Sequence, residues 1–318
     1  MTERSSPISL TVVAPFHNES AHVATFLARL EAVLARMDVA WTVICVNDGS
    51  TDDTLALLLA AHEREGRIKV IDLSRNFGKG YALTAGLDHC RAEAVVLINS
   101  DLQHPPELLP AMLAKFREGY EDVYMVPRRP SDSGLADRLG RRIFHHAVRL
   151  ASDLRLPPEA GDFRLLSGAA VAAIARLPER ARFMRGIYHW VGFREIALPY
   201  DAPAQGRPRH KRGLFRATSL ALEGISAFSN LPLRLWGAVG AVIAGLSLLY
   251  GIARIIRHFI HGIDVPGYES IIVAVLFLGG VQLLSMGILG GYIGRIFNEV
   301  KHRPLYIVRR TYGLDPRD

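Results

Sequence analysis

The opening third of the chain alternates between short apolar runs and segments in which apolar residues recur at helical spacing. The apolar runs are rich in Val, Ile and Leu, which favours buried strands, and they fall at residues 8–14, 41–46, 68–73 and 94–98. Between them the apolar spacing is near ~3.6 residues, which predicts helices. Strands and helices that alternate in this way form a doubly wound, mainly parallel sheet with helices on both faces. The sequence therefore predicts an α/β fold.

The last third carries a different pattern, with two long apolar stretches at about residues 235–256 and 270–294. At ~1.5 Å rise per residue, each stretch is long enough to cross the ~30 Å hydrocarbon core of a bilayer as a helix. Lys and Arg residues flank the pair of stretches on both outer sides, which places both flanks in the cytoplasm. The sequence thus predicts a multi-pass protein of the inner (cytoplasmic) membrane, with its amino-terminal domain in the cytoplasm.

These patterns divide the chain into four parts. Residues 1–205 form a cytosolic α/β domain, 206–233 a basic loop with interfacial amphipathic helices, 234–295 the two transmembrane helices, and 296–318 a cytosolic tail. Residues 214–231 suit a helix lying in the membrane interface, and also a helix packed on the soluble domain. Several glycines in the second apolar stretch would let helices approach closely, within the hairpin or between subunits of a homo-oligomer.

The distribution of charge along the chain narrows the choice of binding partners. The net charge is +7, but much of the arginine lies between residues 128 and 216 and again after residue 295. That placement beside the apolar stretches fits an anionic lipid surface and phosphate-bearing ligands, so nucleic acid is not expected as a partner.

The two cysteines, Cys45 and Cys90, lie in a predicted strand and at a predicted helix end. We expect buried thiols, because two cysteines placed in this way do not make a disulfide framework.

Polar residues follow each predicted strand directly. The carboxyl ends of parallel strands share one edge of a sheet, where ligands bind, so four residues are expected to converge there: Glu19, Asp48, Lys79 and Asp101. Asp101 and Gln103 offer a carboxylate and an amide oxygen, which suit Mg²⁺ or Mn²⁺ when a diphosphate supplies further ligands. Two plainer interpretations stay open. Asp101 caps the following helix, or Asp48 belongs to a turn that precedes a helix cap.

Several motifs together make a family resemblance. They are VVAPFHNE at 12–19, VNDGSTDDT at 46–54, RNFG at 75–78, DLQHPPE at 101–107 and GDFRLL at 161–166. With the two apolar stretches, they make the chain similar to inverting family 2 glycosyltransferases of the GT-A fold. The similarity is to the polyprenyl-phosphate branch, which includes bactoprenol glucosyltransferases and dolichyl-phosphate mannose synthases. The resemblance implies a Rossmann-like mixed sheet, mainly parallel, with a carboxy-terminal two-helix transmembrane hairpin.

The resemblance also implies which residues bind the donor. Those that would line the nucleotide are Pro15, His17, Glu19, Val46 and Asp48. Among them, Asp48 would meet the base and Glu19 the ribose. Those that would hold the diphosphate and the metal ion are Asn99, Ser100 and Asp101, with Gln103 as a second metal ligand.

Basic residues and one further acid complete the site that the resemblance implies. Arg128 matches an arginine that contacts phosphate in the family, and Asp162 matches an acid near the acceptor. Asp162 is then an orienting group or a base, or else a purely structural partner of Arg164. Arg138 and Arg142, on a helix predicted at about 135–154, are candidates for binding the acceptor phosphate. The alternative for both is a basic face toward solvent or membrane.

Three features depart from the pattern of the family. Asn99 stands where the first acid of an Asp-x-Asp pair is usual, which removes a charge but keeps an oxygen. Asn47 replaces a commoner Asp beside Asp48. The basic loop after the predicted α/β domain is altered, although it keeps Lys211 and supplies Arg209 nearby. Both are therefore candidate phosphate-binding cations.

The activity that the resemblance implies is metal-dependent transfer of a hexose from a nucleotide-diphosphate sugar to polyprenyl phosphate at the cytoplasmic membrane face. UDP-glucose and undecaprenyl phosphate are the preferred pair, and GDP-mannose or a UDP-amino sugar are alternative donors. A processive polysaccharide synthase is disfavoured, because the chain lacks a Gln-x-x-Arg-Trp element. A catalytically inactive membrane scaffold of the same fold is the competing hypothesis, and Asn99 and the altered basic loop are its only support.

Overall fold

The computed structural model describes residues 7–128, 161–180, 182–201 and 267–314, together with isolated positions between 240 and 256. The first four strands occur within two residues of the predicted positions: β1 Ile8–Phe16, β2 Val39–Asn47, β3 Ile68–Leu73 and β4 Ala94–Leu97. They alternate with three helices, α1 Ser20–Leu34, α2 Thr54–Arg64 and α3 Lys79–Asp88. The predicted βα order of this part is confirmed.

The later elements are less regular in order. A short 3₁₀ turn at Pro106–Leu108 leads into α4 Leu109–Arg117 and β5 Asp122–Pro127. After residues outside the described part come β6 Arg164–Ser167, α5 Gly168–Ala175, α6 Met184–Trp190 and β7 Glu195–Tyr200. The last two described elements are α7 Tyr268–Val300 and β8 Val308–Tyr312.

The strands of the described residues join one eight-stranded sheet in the order β7-β5-β6-β4-β1-β2-β3-β8. The pairs β1–β2, β1–β4, β2–β3 and β5–β7 are parallel. Strand β6 runs antiparallel to β4 and β5, and β8 runs antiparallel to β3. The sheet is therefore mixed and mainly parallel, as the resemblance implied.

The core lies on both faces of this sheet, because neighbouring residues of a strand point to opposite sides. Val12 packs with Phe26 and Leu30 of α1 on one face. Val13 packs with Leu83 of α3 on the other face. Both valines are fully buried. This two-sided burial explains why the predicted strands are continuous apolar runs rather than alternating ones.

The carboxy-terminal segment returns to the sheet after a long apolar helix. Helix α7 has 33 residues and contains the predicted second span, 270–294. Its part Phe277–Val300 is long and apolar enough to cross a membrane, by length and composition. Residues 296–318 were expected to be a tail, but Val308–Tyr312 is an edge strand paired with β3. The predicted first span falls outside the described residues except for isolated positions, and residues 206–233 and the helix at 135–154 lie wholly outside them.

Candidate active site

Asp48 connects the loop after β2 to the loop before α3 at the carboxyl edge of the sheet. It follows β2, is 3% exposed, and accepts the backbone N–H groups of Phe77 at 2.8 Å and Gly78 at 2.9 Å. Gly49 makes this approach possible, because a Cβ there would lie 2.3 Å from the carbonyl carbon of Arg75. Asp48 therefore has a structural role in joining these loops, and it precedes Asp53, the N-cap residue of α2, as the plainer interpretation of this motif expects.

His17 lies against the same loop, between a carbonyl and an amide. Its Nδ1 is 2.8 Å from the Asp48 carbonyl oxygen, and its Nε2 is 2.8 Å from Nδ2 of Asn76. A carbonyl oxygen only accepts hydrogen bonds, so the proton is on Nδ1 and Nε2 accepts from the Asn76 amide. Asn76 was not singled out from the sequence, although it lies in the RNFG motif.

Asn47 has a structural partner that accounts for its departure from the family pattern. Its side-chain amide donates to Asp72 at the end of β3, with 2.7 Å between Nδ2 and Oδ1. Asn47 is 1% exposed and Asp72 2% exposed. A carboxylate at position 47 would place two buried acids in contact, and neighbouring carboxylates resist joint ionisation. The amide is thus the residue that suits this pair.

Glu19 and Pro15 border the same edge from β1. The Glu19 carboxylate lies 2.8 Å from Nδ1 of His22. The backbone N–H of Glu19 donates to Thr54 Oγ1 at 2.9 Å. Pro15 accepts a hydrogen bond from the hydroxyl of Ser100 at 2.9 Å through its carbonyl oxygen. Val46 is fully buried in the core, so only its backbone is available at this edge.

The loop after β4 presents Asp101 to the same edge. Asp101 is partly exposed, and its Oδ1 accepts the N–H of Gln103 at 3.2 Å. Leu102 between them has a positive φ of 60°, which bends the chain tightly. The following 3₁₀ turn begins at Pro106 with Pro105 before it, so Asp101 does not cap that helix. The capping interpretation is wrong.

The donor groups of this loop fit a hard divalent cation with few protein ligands. Asp101 contributes a carboxylate, and Gln103 is exposed and contributes an amide oxygen. Within the described residues, no group of three or more His, Cys, Asp and Glu is arranged to hold a metal ion. One carboxylate and one amide match Mg²⁺ or Mn²⁺ when water and phosphate oxygens complete the coordination, which is the usual arrangement for Mg²⁺.

Asp162 forms an ion pair with Lys79, the first residue of α3, at 2.5 Å. Burial opposes ionisation of Asp162, but the charge and the hydrogen bond of Lys79 outweigh it and hold the pKa of the carboxyl below its usual range. Arg164 instead donates to Asp122 at 2.6 Å, with exposures of 0% and 1%. The proposed structural pairing of Asp162 with Arg164 is therefore wrong.

Phe163 connects the Asp162 segment to the Asp101 loop. Its ring stacks on His104 with 4.9 Å between centroids, and Tyr200 packs edge-on against it at 6.3 Å. Burial lowers the pKa of His104 to about 4, with Lys79 and Arg185 adding to the shift and the two acids Asp101 and Asp162 opposing it. These four charges therefore all act on the same ring.

Arg185 is a residue of this site to which the sequence assigned no role. It is exposed on α6, and its charge contributes to the pKa values of both His104 and Asp162. Its motif, Arg185-Gly186, was visible in the sequence, but neither periodicity nor spacing linked it to the strand ends. An exposed arginine whose charge acts on Asp162 and His104 is suited to binding phosphate.

Arg128 lies at the end of β5, beside the last residue of β7. Its N–H donates to the Tyr200 carbonyl at 2.8 Å. Its guanidinium is 3.7 Å from Asp201, with exposures of 61% and 81%. An exposed pair of this kind contributes little to stability, so it does not prevent Arg128 from binding an anion. The other predicted phosphate-binding residues lie outside the described part of the chain: Lys211, Arg138, Arg142 and Arg209.

Comparison with known proteins identifies the class to which this arrangement belongs. Residues 11–173 match the family model of glycosyl transferase family 2, and residues 231–296 match the GtrB C-terminal hairpin. An uncharacterized glycosyltransferase of Synechocystis sp. is 42% identical over 97% of this chain and 97% of its own length. The SfII prophage-derived bactoprenol glucosyl transferase of Shigella flexneri is 37% identical over 97% of this chain and 100% of its own length.

A solved structure supports the fold. Mannosyl-3-phosphoglycerate synthase from Rubrobacter xylanophilus superimposes with a TM-score of 0.54 and 20% identity, covering 73% of this chain and 75% of that one. Fold and site together define a glycosyltransferase with a GT-A domain and a carboxy-terminal hairpin. The chain belongs to glycosyl transferase family 2.

Proposed function

We propose that this protein transfers a hexose from a nucleotide-diphosphate sugar to a polyprenyl phosphate at the cytoplasmic face of the inner membrane. UDP-glucose and undecaprenyl phosphate are the preferred substrates. The observation that carries the proposal is the pair of acids around one aromatic stack. Asp101 lies on the His104 side, Asp162 lies beside Phe163, and both influence the pKa of His104. In this proposal Asp101 would meet the leaving diphosphate through a divalent ion, and the Lys79–Asp162 pair would lie toward the incoming phosphate.

The donor nucleotide fits the edge formed by β1 and β2. Asp48 already accepts two backbone N–H groups, but a carboxylate has about four acceptor positions and can also bind a base N–H. Glu19 lies on the next loop and is suited to a ribose hydroxyl. The diphosphate then extends toward Asn99, Ser100 and Asp101, which follow the neighbouring strand β4.

Asp101 and Gln103 would hold a Mg²⁺ or Mn²⁺ ion in this proposal. When bound, the ion supplies Lewis-acid stabilisation of the charge on the departing diphosphate. Asn99 keeps an oxygen at the position of the usual first acid without adding a second negative charge. The remaining positive charge comes from side chains of this chain: Arg128 and Arg185, together with Lys211 and Arg209 of the basic loop.

The acceptor side needs orientation more than proton abstraction. A phosphate monoester has a second pKa near ~6 and is largely deprotonated at neutral pH, so no strong general base is required. Asp162 is ionised and paired with Lys79, which is consistent with an orienting role. Arg138 and Arg142 remain candidates for contacting the acceptor phosphate, and the membrane hairpin would keep the lipid close.

A transfer assay tests the proposal. Detergent-purified protein is incubated with labelled nucleotide sugars and a short-chain polyprenyl phosphate, with Mg²⁺, Mn²⁺ or a chelator. We expect transfer that depends on the metal, that Asp101→Ala abolishes, and that Asn99→Asp preserves with equal or higher metal affinity. Glu107→Ala is the matched control, because this exposed acid of the same segment pairs only with Arg29 on the surface among the described contacts.

The outcomes separate the hypotheses. Transfer from GDP-mannose or a UDP-amino sugar in place of UDP-glucose would identify a different donor for the same type of reaction. No transfer with any donor would favour the inactive scaffold, and an active Asp101→Ala protein would refute the role of Asp101.

A further inference from the structure

The end of the apolar helix α7 and the segment that follows it make two contacts that lead to α3, one indirect and one direct. At the first, both carboxylate oxygens of Glu299 accept the backbone N–H of Arg180, at 3.1 and 3.3 Å. At the second, the hydroxyl of Tyr306 donates to Asp88 at 2.8 Å. Asp88 is the last residue of α3, so this second contact lies at the end of α3 opposite Lys79.

The main chain of Arg180 continues the first connection into α3. Its carbonyl oxygen accepts the hydroxyl of Tyr81, two residues after Lys79, at 3.1 Å. The carbonyl oxygen of Arg182, two residues on, is only 2.9 Å from the position that a Cβ on Gly80 would occupy, so Arg182 packs tightly on the first turn of α3. One residue thus joins the end of α7 to the helix turn that carries Lys79.

We propose that Glu299 is a positioning residue, which acts through the main chain of Arg180 to hold the Lys79–Asp162 pair at a fixed place relative to the end of α7. The inference rests on the proposed function, because it concerns how an acceptor phosphate meets Asp162. A lipid phosphate is confined to the depth of the membrane surface by its apolar tail. The side chain that orients it must therefore be held at the matching height.

The chemistry of the connection suits this role. A carboxylate that accepts a backbone N–H makes a charge-assisted hydrogen bond, which is stronger and more directional than a neutral one. Glu299 lies one residue before the end of α7 at Val300, so little chain separates the anchor from the contact. A displacement of about 1 Å between reacting groups costs roughly 10²-fold in rate, so even a modest loosening is measurable.

Two acceptors separate positioning from a general structural role. Protein reconstituted in vesicles is assayed with long-chain polyprenyl phosphate in the bilayer and with a short, water-soluble prenyl phosphate. Glu299→Ala and Tyr81→Phe should each lower kcat on the bilayer acceptor by about fivefold to tenfold, which corresponds to the loss of one hydrogen bond of ordinary strength. Transfer to the soluble acceptor and the KM for the nucleotide sugar should stay unchanged. Glu299→Gln, which keeps one acceptor oxygen, should recover part of the loss.

Tyr306→Phe is the matched control, because it removes one hydrogen bond between the same segment and the far end of α3. It should not reproduce the selective loss. Hydrogen exchange gives a readout without activity: Glu299→Ala should accelerate exchange of the amides in residues 79–84, and Tyr306→Phe should not. Unchanged exchange there, or equal loss on both acceptors, would overturn the positioning role. An inactive wild-type protein with the expected exchange would instead overturn the proposed function alone.

Discussion

The rings of Phe163 and His104 lie nearly parallel, with 12° between their planes and 4.9 Å between their centroids. Each ring belongs to a loop that carries one of the two acids of the site. Phe163 follows Asp162 directly, and His104 lies three residues after Asp101. The stack therefore sets the separation of the two acids, although neither ring need contact a substrate.

Loss of this stack should impair transfer before it unfolds the protein. Phe163→Leu keeps most of the apolar volume, so the free energy of unfolding should fall by no more than about 1.5 kcal/mol. The planar contact is lost, and kcat should fall roughly tenfold with little change in the KM for the nucleotide sugar, because Asp48 and His17 are untouched. Phe116→Leu, on the partly buried edge of the core, is the control and should leave kcat unchanged. Wild-type kcat in Phe163→Leu would contradict the role of the stack.

Lys79 should control the ionisation of Asp162. In the wild-type protein the pKa of Asp162 lies below its usual range, so the carboxylate stays charged at mildly acidic pH. Lys79→Met removes the largest opposing charge and leaves the smaller effects of Arg185 and Arg164, so the pKa of Asp162 should rise and the acidic limb of the pH–rate profile should move to higher pH. Lys79→Arg keeps the charge and should keep the wild-type profile. An acidic limb that does not move in Lys79→Met would refute the coupling.

The same pair predicts the sign of a stability change with pH. Because the folded pKa of Asp162 is lower than the unfolded value of ~3.9, the pair stabilises the fold above that pH, and the contribution is lost as pH falls through the folded pKa. Chemical unfolding of the wild type and of Asp162→Asn between pH 3 and 7 measures this. The difference between the two proteins should shrink toward the acidic end, and a constant difference would contradict the assignment.

Arg164 should matter for folding rather than for charge at the site. Burial raises the pKa of Asp122 to about 6 while Arg164 opposes that shift, so Asp122 depends on this partner. Arg164→Met leaves a buried acid without its cation and should cost about 3–5 kcal/mol in the free energy of unfolding. Arg164→Met combined with Asp122→Leu should recover most of that loss. Equal destabilisation of the single and double variants would show that the pair is not the cause.

Positions 47 and 72 should tolerate the exchange of their two side chains, but they should not tolerate an acid at both positions. Asn47→Asp brings two buried carboxylates together and should destabilise the fold by about 1–3 kcal/mol at neutral pH, because two neighbouring buried acids resist ionising together. The loss should diminish near pH 4–5, where a shared proton restores the hydrogen bond. Asn47→Asp with Asp72→Asn restores one donor and one acceptor and is the matched control. Full stability of Asn47→Asp at neutral pH would contradict this account.

Local patterns in the sequence were sufficient for the elements and for a prediction of the candidate site. The apolar runs predicted β1 to β4, because a strand buried on both faces must be apolar wherever it lies. The polar residues after those strands predicted one edge that carries Glu19, Asp48, Lys79 and Asp101, because parallel strands end together. The length and hydropathy of residues 270–294 indicated the long apolar helix that contains them.

The partners of individual side chains were decided only by the tertiary structure. Lys79 and Asp162 are 83 residues apart in the chain, and both Arg164–Asp122 and Asn47–Asp72 join different strands. The sequence equally failed to show that a strand beyond the apolar helix, Val308–Tyr312, returns to pair with β3. Periodicity records how deeply each segment is buried and on which face, and that is a local property. Strand order and side-chain pairing depend on contacts between distant segments, which only the folded chain brings together.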